Sequence, residues 1–593
     1  MRSIHYTLCP SDPKAHQFTA SITVKKPNPE GQMFSLPNWL LGSYLIRDFS
    51  KNLGPITAHC QGEAVELEQI DLNRWQAKPC TGALTLEYTI YAWDLSVRTA
   101  HLDETHGFFN GTSVFLKAEG LENKPCSVEL IAPQGEEYAD WRIATSLKET
   151  DERYAFGGYE AKNYDELIDH PVEMGTFTLA TFEACGVPHD IAITGRHHAD
   201  MNRLCQDLKT ICEYEINFFG QPAPMERYVF LVMTVGNGYG GLEHRASTAL
   251  LCNRSDLPTH TMTDLTDGYL TFLELCSHEY FHTWNVKRIR PKVYAESELH
   301  TPALSKQLWA FEGITSYYDA LILVRCGLIK PQRYLKLLSE HITRVQRNPG
   351  RFKQTVAESS FNTWTKFYQQ DENVLNAIVS YYTKGALVAL GLDALLRHET
   401  HGLSSLDDLM LLLWNQYGKK DIPLDEGEIE ALAVEMGGSA IRTFFDQAIY
   451  GTQDIDLTQL LSYLGVTKSD RPRQNIADKG GCLDQANTPA YDLGMISKAH
   501  PMGVQVTHIV NGKGAHLAGL SSQDVIIAVD GLQVSDANLE AALTPFNVGE
   551  TVKVHAFRRD ELMEFELTLT AAEQDTCCLE LTDESLWSDW LNQ

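Results

Sequence analysis

The stretch Ser277-His278-Glu279-Tyr280-Phe281-His282-Thr283-Trp284 constrains this chain more than any other. On an α-helix, residues i and i+4 project from one face, so His278 and His282 can present two imidazole nitrogens to a single zinc ion. Glu279, beside the first histidine, puts a carboxylate where a water activated by that ion would lose its proton. The spacing predicts a helix from about Thr263 or Asp264 to Trp284, stopped by Arg290-Pro291. A catalytic zinc takes three protein ligands and keeps one position open, so a third ligand is required.

Position 288 is Arg, not His, which excludes the metzincin arrangement. A glutamate on a later helix is the alternative, and Trp309-Ala310-Phe311-Glu312-Gly313-Ile314 supplies one in an apolar, aromatic segment. A buried carboxylate is costly unless compensated; a metal would compensate Glu312, and so would a buried Arg or Lys. Glu296 and Glu298 lie nearer to His282 but in a polar stretch. Asp319, two turns beyond Glu312, is placed to accept the second N–H of a zinc-bound histidine or to face solvent. This second helix is expected over Leu304 to Arg325. Amide hydrolysis also needs a donor for the developing oxyanion, and Tyr382, at the start of an apolar helix expected from about Val379, is a candidate unless it only packs. Upstream, the turn Gly236-Asn237-Gly238-Tyr239-Gly240-Gly241 runs into Leu242-Glu243-His244. Glycines there let backbone approach a ligand closely, and Glu243 beside that backbone suits a cationic group such as a free α-amine.

A chain of 593 residues is too long for one core. Residues 1–187 alternate in short runs such as Gln17–Val24 and Leu84–Tyr91 and predict β structure. Two aromatic, Gly-containing stretches, Leu36–Phe49 and Asp103–Thr112, break that alternation and suit either a cleft or interdomain packing. Residues 188–465 turn helical, 466–490 read as a polar linker, 477–574 return to short strands, and 575–593 form an acidic tail, docked or frayed. The net charge of −29 disfavours nucleic acid and anionic membranes as partners. No window has the continuous apolar length of a membrane span, and the first residues lack the apolar core of a signal peptide. The 13 cysteines are odd in number and scattered, with Cys577 and Cys578 adjacent. Reduced thiols in a cytoplasmic protein are the expectation.

Gly240-Gly241-Leu242-Glu243-His244, His278–His282, Glu312–Tyr317 and Tyr382-Thr383-Lys384-Gly385, in that order, resemble the gluzincin aminopeptidases. His282–Pro291, Trp39–Phe49 and Ser380–Asp393 are most similar to the glycyl aminopeptidase family within them, over nearly the whole chain. Gly512–Leu520 and Asp524–Gly531 are similar to a PDZ domain, with Leu493-Gly494-Met495-Ile496 as its carboxylate-binding loop. The resemblance implies a multidomain α+β protein: an N-terminal β-rich domain, a thermolysin-like, mainly helical catalytic domain, and a C-terminal PDZ domain. It implies one Zn2+ held by His278, His282 and Glu312, with Glu279 as base and Tyr382 on the oxyanion. Glu243 would take the substrate amine, flanked by Gly240 and Gly241. The activity implied is removal of N-terminal Gly or Ala from peptides; alternatives are an endopeptidase presented with substrate C-termini by the PDZ domain, or an inactive peptide-binding scaffold. Three departures stand out: residues 283–311 form a longer loop than in the aminopeptidase N branch, His244 replaces Asn, and Leu41 replaces Pro.

Overall fold

Alternation in the N-terminal runs becomes strands whose apolar residues share one face. Gln17–Val24 buries Phe18, Ala20, Ile22 and Val24, and pairs antiparallel with Ile4–Asp12 on one side and Leu84–Tyr91 on the other. These are the centre of an eight-stranded sheet, in which Ile4–Asp12 also meets Cys126–Leu130 in parallel. Two four-stranded sheets complete the β-rich part. The computed structural model describes residues 3–483 and 491–591. Its chain divides into two compact units, Met1–Ala303 with Trp414–Leu424, and Leu304–Leu413 with Asp425–Gln593.

The first unit also contains a five-stranded sheet in the order Thr178–Ala184, Val187–Thr194, Tyr228–Val235, Ser247–Asn253, Gly240–Glu243. The middle three strands are parallel, and Gly240–Glu243 closes the sheet as an antiparallel edge. The helix Met201–Phe219, capped by the Asp200 carboxylate, packs beside the histidine-bearing helix. That second helix spans Asp267–Phe281, shorter at both ends than expected. Thr266, not Thr263 or Asp264, caps it by accepting the Tyr269 N–H. It stops nine residues before Arg290, where the His282 ring turns to the Asn285 carbonyl and the Lys287 N–H reaches the His282 carbonyl.

Beneath the histidine helix, buried His189 receives the Tyr280 hydroxyl on Nε2 at 2.8 Å and directs Nδ1 at the Val187 carbonyl at 2.9 Å. Burial pushes its pKa down to about 4. Below pH 6.5 the unfolded chain takes up a proton there that the folded chain refuses, so acid removes stability across that window. The loss from this site is roughly 2–3 kcal/mol between pH 7 and pH 4.5. Urea midpoints of wild type and His189→Gln at the two pH values should therefore converge on acidification, the variant being the less pH-dependent.

In the second unit, Trp309–Gly313 forms a wide π-helical turn leading into the helix Ile314–Arg325, so the helix expected from Leu304 begins later. The apolar helix expected from about Val379 is Thr383–Glu399, starting four residues later with Tyr382 as its N-cap. The supposed linker is partly a strand: Val466–Arg471 pairs antiparallel with Thr576–Leu581, while 484–490 lies outside the described residues. This pairing, and the Gly481 N–H donating to the Cys577 carbonyl, brings residue 482 alongside residue 578. Cys482 and Cys578 form a disulfide there, which corrects the expectation of reduced thiols throughout. The tail is docked: Trp587 and Trp590 are buried, and the Trp590 indole N–H reaches the Tyr317 hydroxyl and the Asp393 carboxylate. Residues 495–568 build a separate sheet with its own core, including Val504, Val506, Ile526, Val554 and Leu567. Among the described residues no helix is long and apolar enough to cross a membrane.

Candidate active site

At the end of the Asp267–Phe281 helix, the Nε2 atoms of His278 and His282 face each other at 3.1 Å, and both rings are buried. His282 Nδ1 lies 2.7 Å from the Asn285 carbonyl, which fixes the proton on Nδ1 and leaves a lone pair on Nε2. Two ligands on one tetrahedral zinc stand about 3.3 Å apart, so this donor pair fits the metal. For His282 the orienting group is thus a backbone carbonyl. Asp319 accepts the Ala320 N–H at 2.6 Å on the Ile314–Arg325 helix.

The edge strand runs against the same helix. A Cβ on Gly241 would stand 1.9 Å from Glu279 Oε1, so only glycine lets the strand approach this carboxylate. Arg98 donates to the Gly241 carbonyl at 3.1 Å and pins the strand from the other side. Glu243, at the strand's end, is 4% exposed, and its Oε1 has no hydrogen-bond partner within the protein. Gly42, with φ +89°, comes so close that a Cβ there would lie 2.5 Å from Glu243 Oε1. Leu40, Leu41, Gly42 and Tyr44 share with Glu243 and Tyr294 a cleft of about 930 Å³. Within the Leu36–Phe49 stretch Trp39 also donates to the Thr301 carbonyl at 3.0 Å.

The chain beyond Glu243 is tied down by charge. Asp169 receives the Lys287 ammonium at 2.6 Å and the Arg245 N–H at 2.9 Å, and the His244 ring stands 3.5 Å away. Burial would raise the Asp169 pKa, but Lys287 and His244 hold it well below the usual carboxylate range. Arg288 donates to the Arg245, Thr283 and Pro224 carbonyls, locking the loop after His282 to the end of the edge strand. Asp169, Arg98 and Gly42 carried no sequence signal for these roles, since each acts through a partner far away in the chain.

In the second unit, Glu312 is 2% exposed within the π-helical turn, flanked by buried Trp309 and Phe311. Wide turns of this kind recur where a side chain must be re-aimed. A Cβ on Gly313 would stand 2.6 Å from Gly385 and 2.9 Å from the Tyr381 carbonyl. One glycine–glycine crossing therefore sets the turn of Glu312 against the helix start that bears Tyr382, whose ring stacks on Tyr381. In the C-terminal sheet, Leu493 is buried and Gly494 takes φ +67°, just before the edge strand Met495–His500.

Three family models match the chain: the peptidase M61 N-terminal domain over residues 5–176, the M61 glycyl aminopeptidase over 271–388, and a PDZ domain over 463–569. The crystal structure of an aminopeptidase N family protein from Idiomarina loihiensis superposes with a TM-score of 0.95 at 41% identity, covering 100% of both chains. An M1 zinc metallopeptidase from Deinococcus radiodurans shares the fold, with a TM-score of 0.50 at 14% identity over 77% of this chain and 94% of that one. No curated protein matches. The chain belongs to the M61 glycyl aminopeptidase family and is an aminopeptidase with a C-terminal PDZ domain.

Proposed function

We propose that the enzyme removes N-terminal residues, Gly and Ala foremost, from short peptides or protein N-termini, with one zinc held by His278, His282 and Glu312. The observation that carries this reading is Glu243, a buried carboxylate with an unpartnered oxygen at the end of the edge strand that meets Glu279. A substrate ammonium satisfies that oxygen, and the backbone of Gly240 and Gly241 receives the extended substrate beside it. Gly42 approaches this carboxylate so closely that no side chain fits between them, which suits a first residue with little or no side chain.

When bound, zinc supplies a Lewis acid that polarises the scissile carbonyl and lets water attack near neutral pH. Glu279 takes the proton of the attacking water and passes it to the leaving amine. The Tyr382 hydroxyl donates to the oxygen of the tetrahedral adduct. Asp319 would accept the outer N–H of a zinc-bound histidine. The PDZ part takes a peptide C-terminus at Leu493-Gly494-Met495-Ile496, where Met495–His500 is the terminal strand of its sheet among the described residues. The test is hydrolysis of Gly- and Ala-arylamides by chelator-stripped protein, with and without one equivalent of zinc. Zinc should restore cleavage of the free-amine substrate and leave its N-acetylated counterpart uncut. Equal cleavage of both would turn the reading to an endopeptidase.

A further inference from the structure

We propose that His101, Asp103 and His106, in the N-terminal β region, form a second site for a divalent first-row transition ion. Ala100–Leu102 and His106–Phe109 are the two strands of a hairpin, and Asp103 opens the turn between them. Each of the three residues offers one ligand atom, all within 4.8 Å of one another.

The hydrogen bonding around the trio orients its side chains toward one another. Asp103 Oδ1 is spent on the turn, accepting the Thr105 N–H, the Thr105 hydroxyl and the His106 N–H. Its Oδ2 stands 3.3 Å from His101 Nε2, the separation of two ligands on one ion and longer than a good charge-assisted hydrogen bond. His106 Nδ1 lies 3.1 Å from the Glu173 carboxylate, which also accepts the Thr194 hydroxyl. That partner holds the proton on Nδ1 and leaves Nε2 as a lone pair, the carboxylate–histidine arrangement that orients a metal ligand. His101 is 5% exposed, and its Nδ1 has no hydrogen-bond partner.

The rings are also held in place. His101 stacks on His106 at 4.9 Å and on Trp93 at 5.0 Å. A cavity of about 20 Å³, room for one water-sized molecule, lies against His101, His106 and Glu173. The Asp103 side chain, 27% exposed, gives the ion a way in. Two imidazoles and one carboxylate suit Zn2+, Co2+, Ni2+ or Cu2+ rather than Mg2+ or Ca2+.

The test is equilibrium dialysis of the full-length, chelator-stripped protein against Zn2+ and Co2+, with bound metal counted. Wild type should bind two equivalents. His278→Gln/His282→Gln should bind one, and adding zinc should still raise its Tm. His106→Gln should bind one while retaining arylamide hydrolysis. Asp103→Asn, at the more exposed position, guards against misfolding of the histidine variant and should weaken the second equivalent at least tenfold. In the His278→Gln/His282→Gln background Co2+ should quench tryptophan fluorescence, and adding Trp93→Phe should remove that quench. The proposal is overturned if the His278→Gln/His282→Gln protein binds no metal, or if His106→Gln and Asp103→Asn leave the second equivalent unchanged. Because the doubly substituted protein has lost the catalytic histidines, this result is read separately from the zinc peptidase assignment.

Discussion

Glu279→Gln should lower kcat on a Gly-arylamide about a thousandfold while zinc remains bound and KM changes little. The amide fills the same volume on the same helix but cannot take a proton from water or return it to the leaving amine. Because Glu279 follows His278 directly and His282 is held by Asn285, the substitution leaves the ligand pair in place. A second variant separates position from proton transfer. In Gly241→Ala the new Cβ would lie 1.9 Å from Glu279 Oε1, 2.4 Å from its Cδ and 2.7 Å from its Cγ, so the whole carboxylate must move. We expect a loss of about ten- to a hundredfold in kcat with metal retained. Combining the two substitutions should add little to Glu279→Gln alone, since both act through one group. If Glu279→Gln keeps more than about a tenth of wild-type kcat, the general base lies elsewhere.

What the sequence made legible follows the range over which each signal acts. The histidine pair was readable because i, i+4 spacing on a helix is a local rule. The alternation of Gln17–Val24 and Leu84–Tyr91 named strands because each buries one face. Element ends were less legible: the helix of His278 ends at Phe281, where the His282 ring bonds to the Asn285 carbonyl, a local side-chain-to-backbone contact that no Pro or Gly stop signal announces. Glu312 was suspected from its apolar surroundings, but the π-helical turn that carries it depends on Gly313 meeting Gly385, 72 positions later (385 minus 313). Asp169 sits in a short, ordinary segment and becomes the anchor of the Glu243 strand only through Lys287, His244 and Arg245. The disulfide was misread for the same reason. Scattered, odd-numbered cysteines point to free thiols, yet the strand partnership with Val466–Arg471 brings Cys482 to Cys578 across 96 residues.

The sharpest expectation concerns Glu243, because it decides where along a peptide the enzyme cuts. A buried carboxylate that meets an ammonium contributes through a desolvated, hydrogen-bonded ion pair, worth about 2–5 kcal/mol when one partner is removed. Glu243→Gln should therefore lower kcat/KM for a free Gly-arylamide by about a hundredfold or more, chiefly through KM, while zinc content and fold are unchanged. The pH dependence tells an ion pair from a steric role. A peptide α-amine titrates near pH 8, so wild-type KM should rise as the substrate loses its proton above that pH, and the variant's KM should not. Gly42→Ala gives an independent check, since its Cβ would press within 2.5 Å of Glu243 Oε1 and displace the same carboxylate. It should reproduce the KM defect toward free amines without altering the fate of N-acetylated peptides. Suppose instead that Glu243→Gln cleaves free and blocked peptides at wild-type rates. The carboxylate then serves only the Gly42 loop, and the edge strand holds substrate by backbone alone, which selects no terminus.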